Sequence, residues 1–268
     1  MFEELRPHLQ DLRKRLMLSL LSIVICFVAC FSFHEEIFTW VQTPISNAFA
    51  SGIKGKLIQV APAEYLFVAI KVSFFAAFVI SVPIVFWQLW LFVAPGLYKH
   101  EKKLILPFVF FGSFMFALGL FFCYEIVFPL IIRYVLAFGN EVVEANIASD
   151  EYLSFFIRIM LAFGFVFELP VMAFFLGKIG LITDNTLKRS FRYAVVAIFV
   201  VAAIVTPPDV ISQLLLALPM VVLYGVAIII LKFVNPEKKQ DEILSSSNNI
   251  EQTRKDEIQT EIEQQLKE

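Results

Sequence analysis

The chain has 268 residues and a formal net charge of −2; 59% of it is hydrophobic, only 17% is charged, and its mean hydropathy is +0.78. A water-soluble domain carries about 45–50% apolar and about 25% charged residues, so that class is excluded in favour of a polytopic membrane protein. The basic residues form no long stripe with interleaved aromatics, which excludes a nucleic-acid partner.

The N-terminal stretch is polar up to Arg15, with no Ala-x-Ala site in the span that follows, so no cleaved signal peptide is expected. Leu5, Leu9, Leu12 and Leu16 recur at spacings of four, three and four, the stripe of an amphipathic helix. Asp11, Arg13, Lys14 and Arg15 occupy its other faces. Residues 1–15 are thus expected to form a cytoplasmic helix held by basic residues to anionic lipid. Asp11 opposes that attraction and needs a separate reason to be there.

About 20 apolar residues cross the hydrocarbon core. Leu16–Phe33 is the first such segment, and Ala63–Ala94, interrupted by Lys71 and Pro83, is the second. Leu104–Phe128 and Tyr152–Leu176 follow, then Tyr193–Val205 and Ser212–Val234, the last two separated by Thr206-Pro207-Pro208-Asp209. Tyr193–Val205 would reach only about 20 Å against a core of about 30 Å. Either the bilayer thins around it or it forms half of a re-entrant hairpin.

Lysine and arginine crowd the N-terminal stretch, the loops 95–103 and 177–192, and the residues after the last span. The opposite loops, 34–62, 129–151 and 206–211, hold only Lys54, Lys56 and Arg133. The positive-inside bias therefore predicts six spans with both termini cytoplasmic. The loop 34–62, with Phe38, Trp40, Val41, Ile45 and Phe49, is expected to cap the membrane interface. Residues 236–268 are dominated by Glu, Lys, Gln, Asn and Ser, with no apolar face worth burying, and read as a solvated cytoplasmic tail, disordered or transiently helical.

Glu168 sits in Leu161-Ala162-Phe163-Gly164-Phe165-Val166-Phe167-Glu168-Leu169-Pro170, where an ionised acid costs about 2.5–3.5 kcal/mol. It must be neutral and hydrogen-bonded in the bundle or face a wet cavity. Lys71 and Arg158 are expected to snorkel or to pair with Glu125 across the bundle. Glu101, among the bases of 94–103, is either part of a solvated ion pair or a carboxylate kept for a cationic ligand. Asp209 is placed to cap the last helix, and Gln213, in an apolar span, prefers a neighbouring helix to lipid. Cys26, Cys30 and Cys123 lie in apolar segments and read as small buried hydrophobes. The three histidines are scattered, so neither a metal site nor a cofactor is expected.

Four motifs in this order resemble TatC, the multi-span core of the twin-arginine protein translocase. They are residues 8–16 (HLQDLRKRL), 87–101 (WQLWLFVAPGLYKHE), 163–170 (FGFVFELP) and 206–213 (TPPDVISQ). The resemblance runs from about residue 5 to 235. It implies an all-α membrane protein of six transmembrane helices in a cupped, glove-like bundle, the last two short, in the cytoplasmic (inner) membrane. It implies no enzymatic chemistry but recognition of twin-arginine signal peptides of folded proteins, through Asp11, Arg13, Phe92 and Glu101. Glu168 maps onto the buried acid of the concave face, Pro44 and Asp209 onto outward-side positions needed for transport, and Gln213 onto the site where partner helices dock. Asp11 is often Glu in the family. The implied partners are TatA- and TatB-type single-span proteins, further copies in a homo-oligomer and membrane lipid, with the proton-motive force as driver. The competing expectation is a proton-coupled small-solute transporter using Glu168, but no internal repeat of the kind common in carriers is present. An intramembrane enzyme would need a nucleophile–base pair that Glu168 lacks.

Overall fold

A computed structural model describes residues 2–94, 103, 105–138 and 144–234, with side chains from Gln10 onward. Glu101 and the tail from 236 lie outside the described residues. Eight helices occur among those described: α1 (Phe2–Phe31), α2 (His34–Ala50), α3 (Glu64–Val93), α4 (Ile105–Phe122), α5 (Phe128–Ala137), α6 (Ser149–Lys178), α7 (Asp184–Val205) and α8 (Val210–Val234). A π-helical turn, Cys123–Val127, joins α4 and α5 into one apolar span, Ile105–Ala137.

The amphipathic N-terminal stretch and the first span form a single helix, α1, which packs chiefly on α3. Of its described side chains only Cys30 is buried. The short stretch Tyr193–Val205 is the second half of the 22-residue α7, whose first turns carry Lys188, Arg189 and Arg192. Thr183 caps this helix by accepting from the Thr186 amide, and Lys188 pairs with Asp184 at 2.6 Å. Five helical segments among the described residues are long and apolar enough to cross a membrane, Gln10–Phe31, Glu64–Val93, Ile105–Ala137, Ser149–Lys178 and Val210–Val234; the charged first turns of the 22-residue α7 keep it out of that set.

The loops expected at one end of the bundle are largely structured. The residues 34–62 form α2 and a strand, β1 (Gly55–Ile58); residues 129–151 begin with the continuation of the third span and end in β2 (Ala145–Ala148). The two strands pair in parallel, Gly55 opposite Ala145 and Ile58 opposite Ala148. A Cβ on Gly55 would collide with the Ala145 carbonyl, so this approach requires glycine. The strand pair sets the starts of α3 and α6 side by side. There the buried Glu64 carboxylate accepts from the amides of Val60, Ala61 and Asp150, capping the first turn of α6 from a different helix.

The cap packs into the bundle instead of resting on lipid: Val41, Ile45 and Ala48 of α2 are fully buried against a core that includes Val72, Phe128, Tyr152, Phe156 and Met220. Lipid supplies no hydrophobic drive between helices, so close backbone approach matters more. Gly119 of α4 and Gly164 of α6 supply it. A Cβ on Gly119 would lie 2.8 Å from the Phe167 Cβ and 2.9 Å from the Phe163 carbonyl oxygen, and one on Gly164 would lie 2.6 Å from the Phe116 ring.

Candidate functional site

Polar groups concentrate at three levels of the bundle. At the open end, opposite the strand pair, Asp11 is half-buried and Arg13 exposed on α1. The Asp11 Oδ2 accepts from Arg15 Nε at 3.3 Å and Nη2 at 3.2 Å, one helical turn on. Phe92 lies in the last turn of α3, half-buried. Since α1 ends beside the start of α3 (His34 and Tyr65 rings 6.1 Å apart), the two helices run antiparallel, and Asp11, Arg13 and Phe92 share the open end. Beneath them Trp90, Phe108 and Phe175 pack with ring centroids 3.8 to 5.2 Å apart, fixing α3, α4 and α6 together.

At mid-depth Glu168 of α6 is 8% exposed, and neither carboxyl oxygen has a hydrogen-bond partner among the described residues. Of the two expected situations, hydrogen bonding inside the bundle is the one the geometry lacks. Gly112 of α4 makes the room: a Cβ there would stand 3.3 Å from Glu168 Oε2 and 3.2 Å from the Phe86 ring. A buried acid without a partner is rare in native folds and marks Glu168 as the candidate polar group at depth.

At the capped end Pro44 is buried inside α2. A proline has no N–H and its ring presses on the carbonyl four residues earlier, which here belongs to Trp40. Tyr124, in the π turn, donates its hydroxyl to that carbonyl at 2.9 Å and stacks on the Trp40 ring at 4.0 Å. Tyr152 of α6 donates to the next carbonyl, Val41, at 2.8 Å. Two phenols from separate spans thus bond to α2 in the turn before its proline. Sequence reasoning missed both; the signal was available, because a buried proline leaves a carbonyl that needs a donor. Asp209 accepts from the Ser212 amide at 2.7 Å, the cap expected of it. Gln213 donates from Nε2 to the Phe199 carbonyl at 3.0 Å, so its neighbouring helix is α7 of the same chain.

One expectation is corrected. Lys71 pairs with Asp150, at 2.6 and 2.8 Å to its two oxygens, and with Ser154 Oγ at 3.1 Å. Glu125 instead borders a different groove, with Trp40, Val79 and Tyr124, on the other side of α3. The strand pair decides the outcome, because it puts the start of α6, and hence Asp150, next to α3.

These features define a multi-pass α-helical membrane protein with polar groups at both ends and one acid at depth, and among the described residues no cluster of His, Cys, Asp and Glu that could hold a metal ion. The family model for the Sec-independent protein translocase protein TatC matches residues 7–219, and the chain belongs to the TatC family. It is 58% identical to the Sec-independent protein translocase protein TatC of Helicobacter pylori strain J99 over 242 residues, covering 90% of this chain and 94% of that one. The Campylobacter jejuni protein of the same name is 50% identical, with 90% and 99% covered. A crystal structure of the twin-arginine translocase receptor TatC superposes with a TM-score of 0.77 at 34% identity, covering 85% of this chain and 99% of the other.

Proposed function

We propose that the chain is the receptor and core subunit of a twin-arginine translocase in the cytoplasmic (inner) membrane, with both termini cytoplasmic. It binds the twin-arginine signal peptides of folded precursors and performs no bond-making chemistry. It assembles with TatA- and TatB-type single-span proteins and with further copies of itself for export driven by the proton-motive force. The orientation rests on the bias of Lys and Arg toward the open end.

The observation that carries the recognition step is Asp11. Its Oδ2 already accepts a guanidinium, that of Arg15, through two nitrogens. A carboxylate has two oxygens with which to accept the planar fork of arginine, an arrangement that an ammonium does not reproduce. Glu101 is the second acceptor, and Arg13, Lys14 and Arg15 discourage nonspecific capture of cationic chains. Phe92 meets the apolar part of the signal, which then enters the concave face as far as Glu168. Pro44 and Asp209 act at the outward side, and Gln213 faces the partner helices.

The test is site-specific photo-crosslinking of a twin-arginine precursor to the full chain in membranes. Asp11→Asn and Glu101→Gln are each expected to abolish the crosslink while insertion is unchanged, and a precursor with paired lysines is expected to crosslink poorly to the wild type. Undiminished crosslinking in both variants refutes the acceptor role.

A further inference from the structure

Between α3 and α6, toward the capped end, lies an open groove of about 620 Å³. That is the size class of a small-ligand site, about 300–1,000 Å³. Its walls are graded. Lys71, Ser154 and Arg158 line the part nearer the strand pair; Phe74, Phe78, Leu161 and Phe165 line the part nearer the middle of the bundle. The charges are not balanced: Asp150 holds Lys71, while Arg158, about 14 Å along α6 from its start, is exposed and has no carboxylate partner among the described residues.

A guanidinium without a carboxylate partner beside apolar walls is a ready acceptor site for an anion. We infer that this groove is a binding site for one anionic phospholipid of the leaflet on the capped side, its phosphate held by Arg158 and an acyl chain lying along Phe74, Phe78, Leu161 and Phe165. The guanidinium presents a fork to phosphate oxygens, and the Ser154 hydroxyl offers a further donor. The order of the lining, cations outside and phenylalanines inside, matches a molecule with a charged head at the interface and its tail toward the midplane. The carboxylate of a partner helix is the competing occupant, and the long apolar stretch beside the cations favours the lipid.

The full-length protein in detergent is titrated with phosphatidylglycerol and, separately, with phosphatidylcholine of the same acyl chains, and bound lipid is read by native mass spectrometry. Wild type is expected to retain one phosphatidylglycerol molecule more tightly than any phosphatidylcholine. Arg158→Gln is expected to weaken that molecule about tenfold, or ~1.4 kcal/mol, and Arg158→Lys less. Arg133→Gln, exposed on α5 and outside the groove, leaves it unchanged. Leu161→Trp, which fills the apolar part without altering charge, weakens it as well. Equal retention of the two lipids, or phosphatidylglycerol held by Arg158→Gln as by wild type, overturns the inference. So does a photo-crosslink in membranes that joins position 161 to a protein instead of a lipid.

Discussion

The bond from Tyr124 to the Trp40 carbonyl, four residues before Pro44, makes a quantitative claim about both residues. In the wild type the Trp40 carbonyl has no helical donor, and the Tyr124 hydroxyl supplies one at 2.9 Å. Tyr124→Phe keeps the ring and its stack on Trp40 but orphans that carbonyl. An orphaned buried acceptor costs about 1–3 kcal/mol, and Trp40 is half exposed, so a loss of about 1–2 kcal/mol is expected. Pro44→Ala restores an N–H at the position that bonds Trp40, and in that background Tyr124→Phe is expected to cost less than about 0.5 kcal/mol. The coupling between the two sites is therefore about 1 kcal/mol, with the double variant more stable than the sum of the singles. Reversible unfolding of the purified protein in mixed micelles by increasing SDS fraction measures all four corners of the cycle. An equal cost of Tyr124→Phe in both backgrounds refutes the view that the phenol answers the proline.

Three further outcomes are expected. Gly119→Ala forces a Cβ against backbone on α6, so it is expected to destabilise the α4–α6 contact by about 1–3 kcal/mol in the same unfolding assay. Arg15→Gln releases the Asp11 carboxylate, so binding of a twin-arginine peptide is expected to tighten while discrimination against paired lysines falls, as read by titration calorimetry. Gln213→Leu removes only a second bond to the Phe199 carbonyl, which keeps its place in the helix; stability is expected to change by less than about 1 kcal/mol while crosslinking to a single-span partner is lost.

The spans were legible because their signal is additive over some twenty residues, and the acid at 168 stood out because nothing around it is polar. The cap was not legible. Val41 and Ile45 look alike whether they lie on lipid or on Tyr152, and the choice depends on residues about a hundred positions away. The partner of Lys71 failed for the same reason: sequence placed Glu125 at a suitable depth, but only the pairing of β1 with β2 brings Asp150 to it. The length of α7 was hidden by its own charges, since Lys188, Arg189 and Arg192 end the apolar window without ending the helix. At the open end, Asp11 and Arg13 could be singled out from sequence, but not the engagement of Asp11 by Arg15.

Gly55–Ile58 and Ala145–Ala148 are separated by 90 positions in register and pair in parallel. During synthesis, then, the first three spans must wait in the bilayer with one strand edge bare until the far strand has crossed. Biogenesis passes through an unlatched intermediate, and a nascent chain halted before residue 145 would leave that edge unpaired at the capped end.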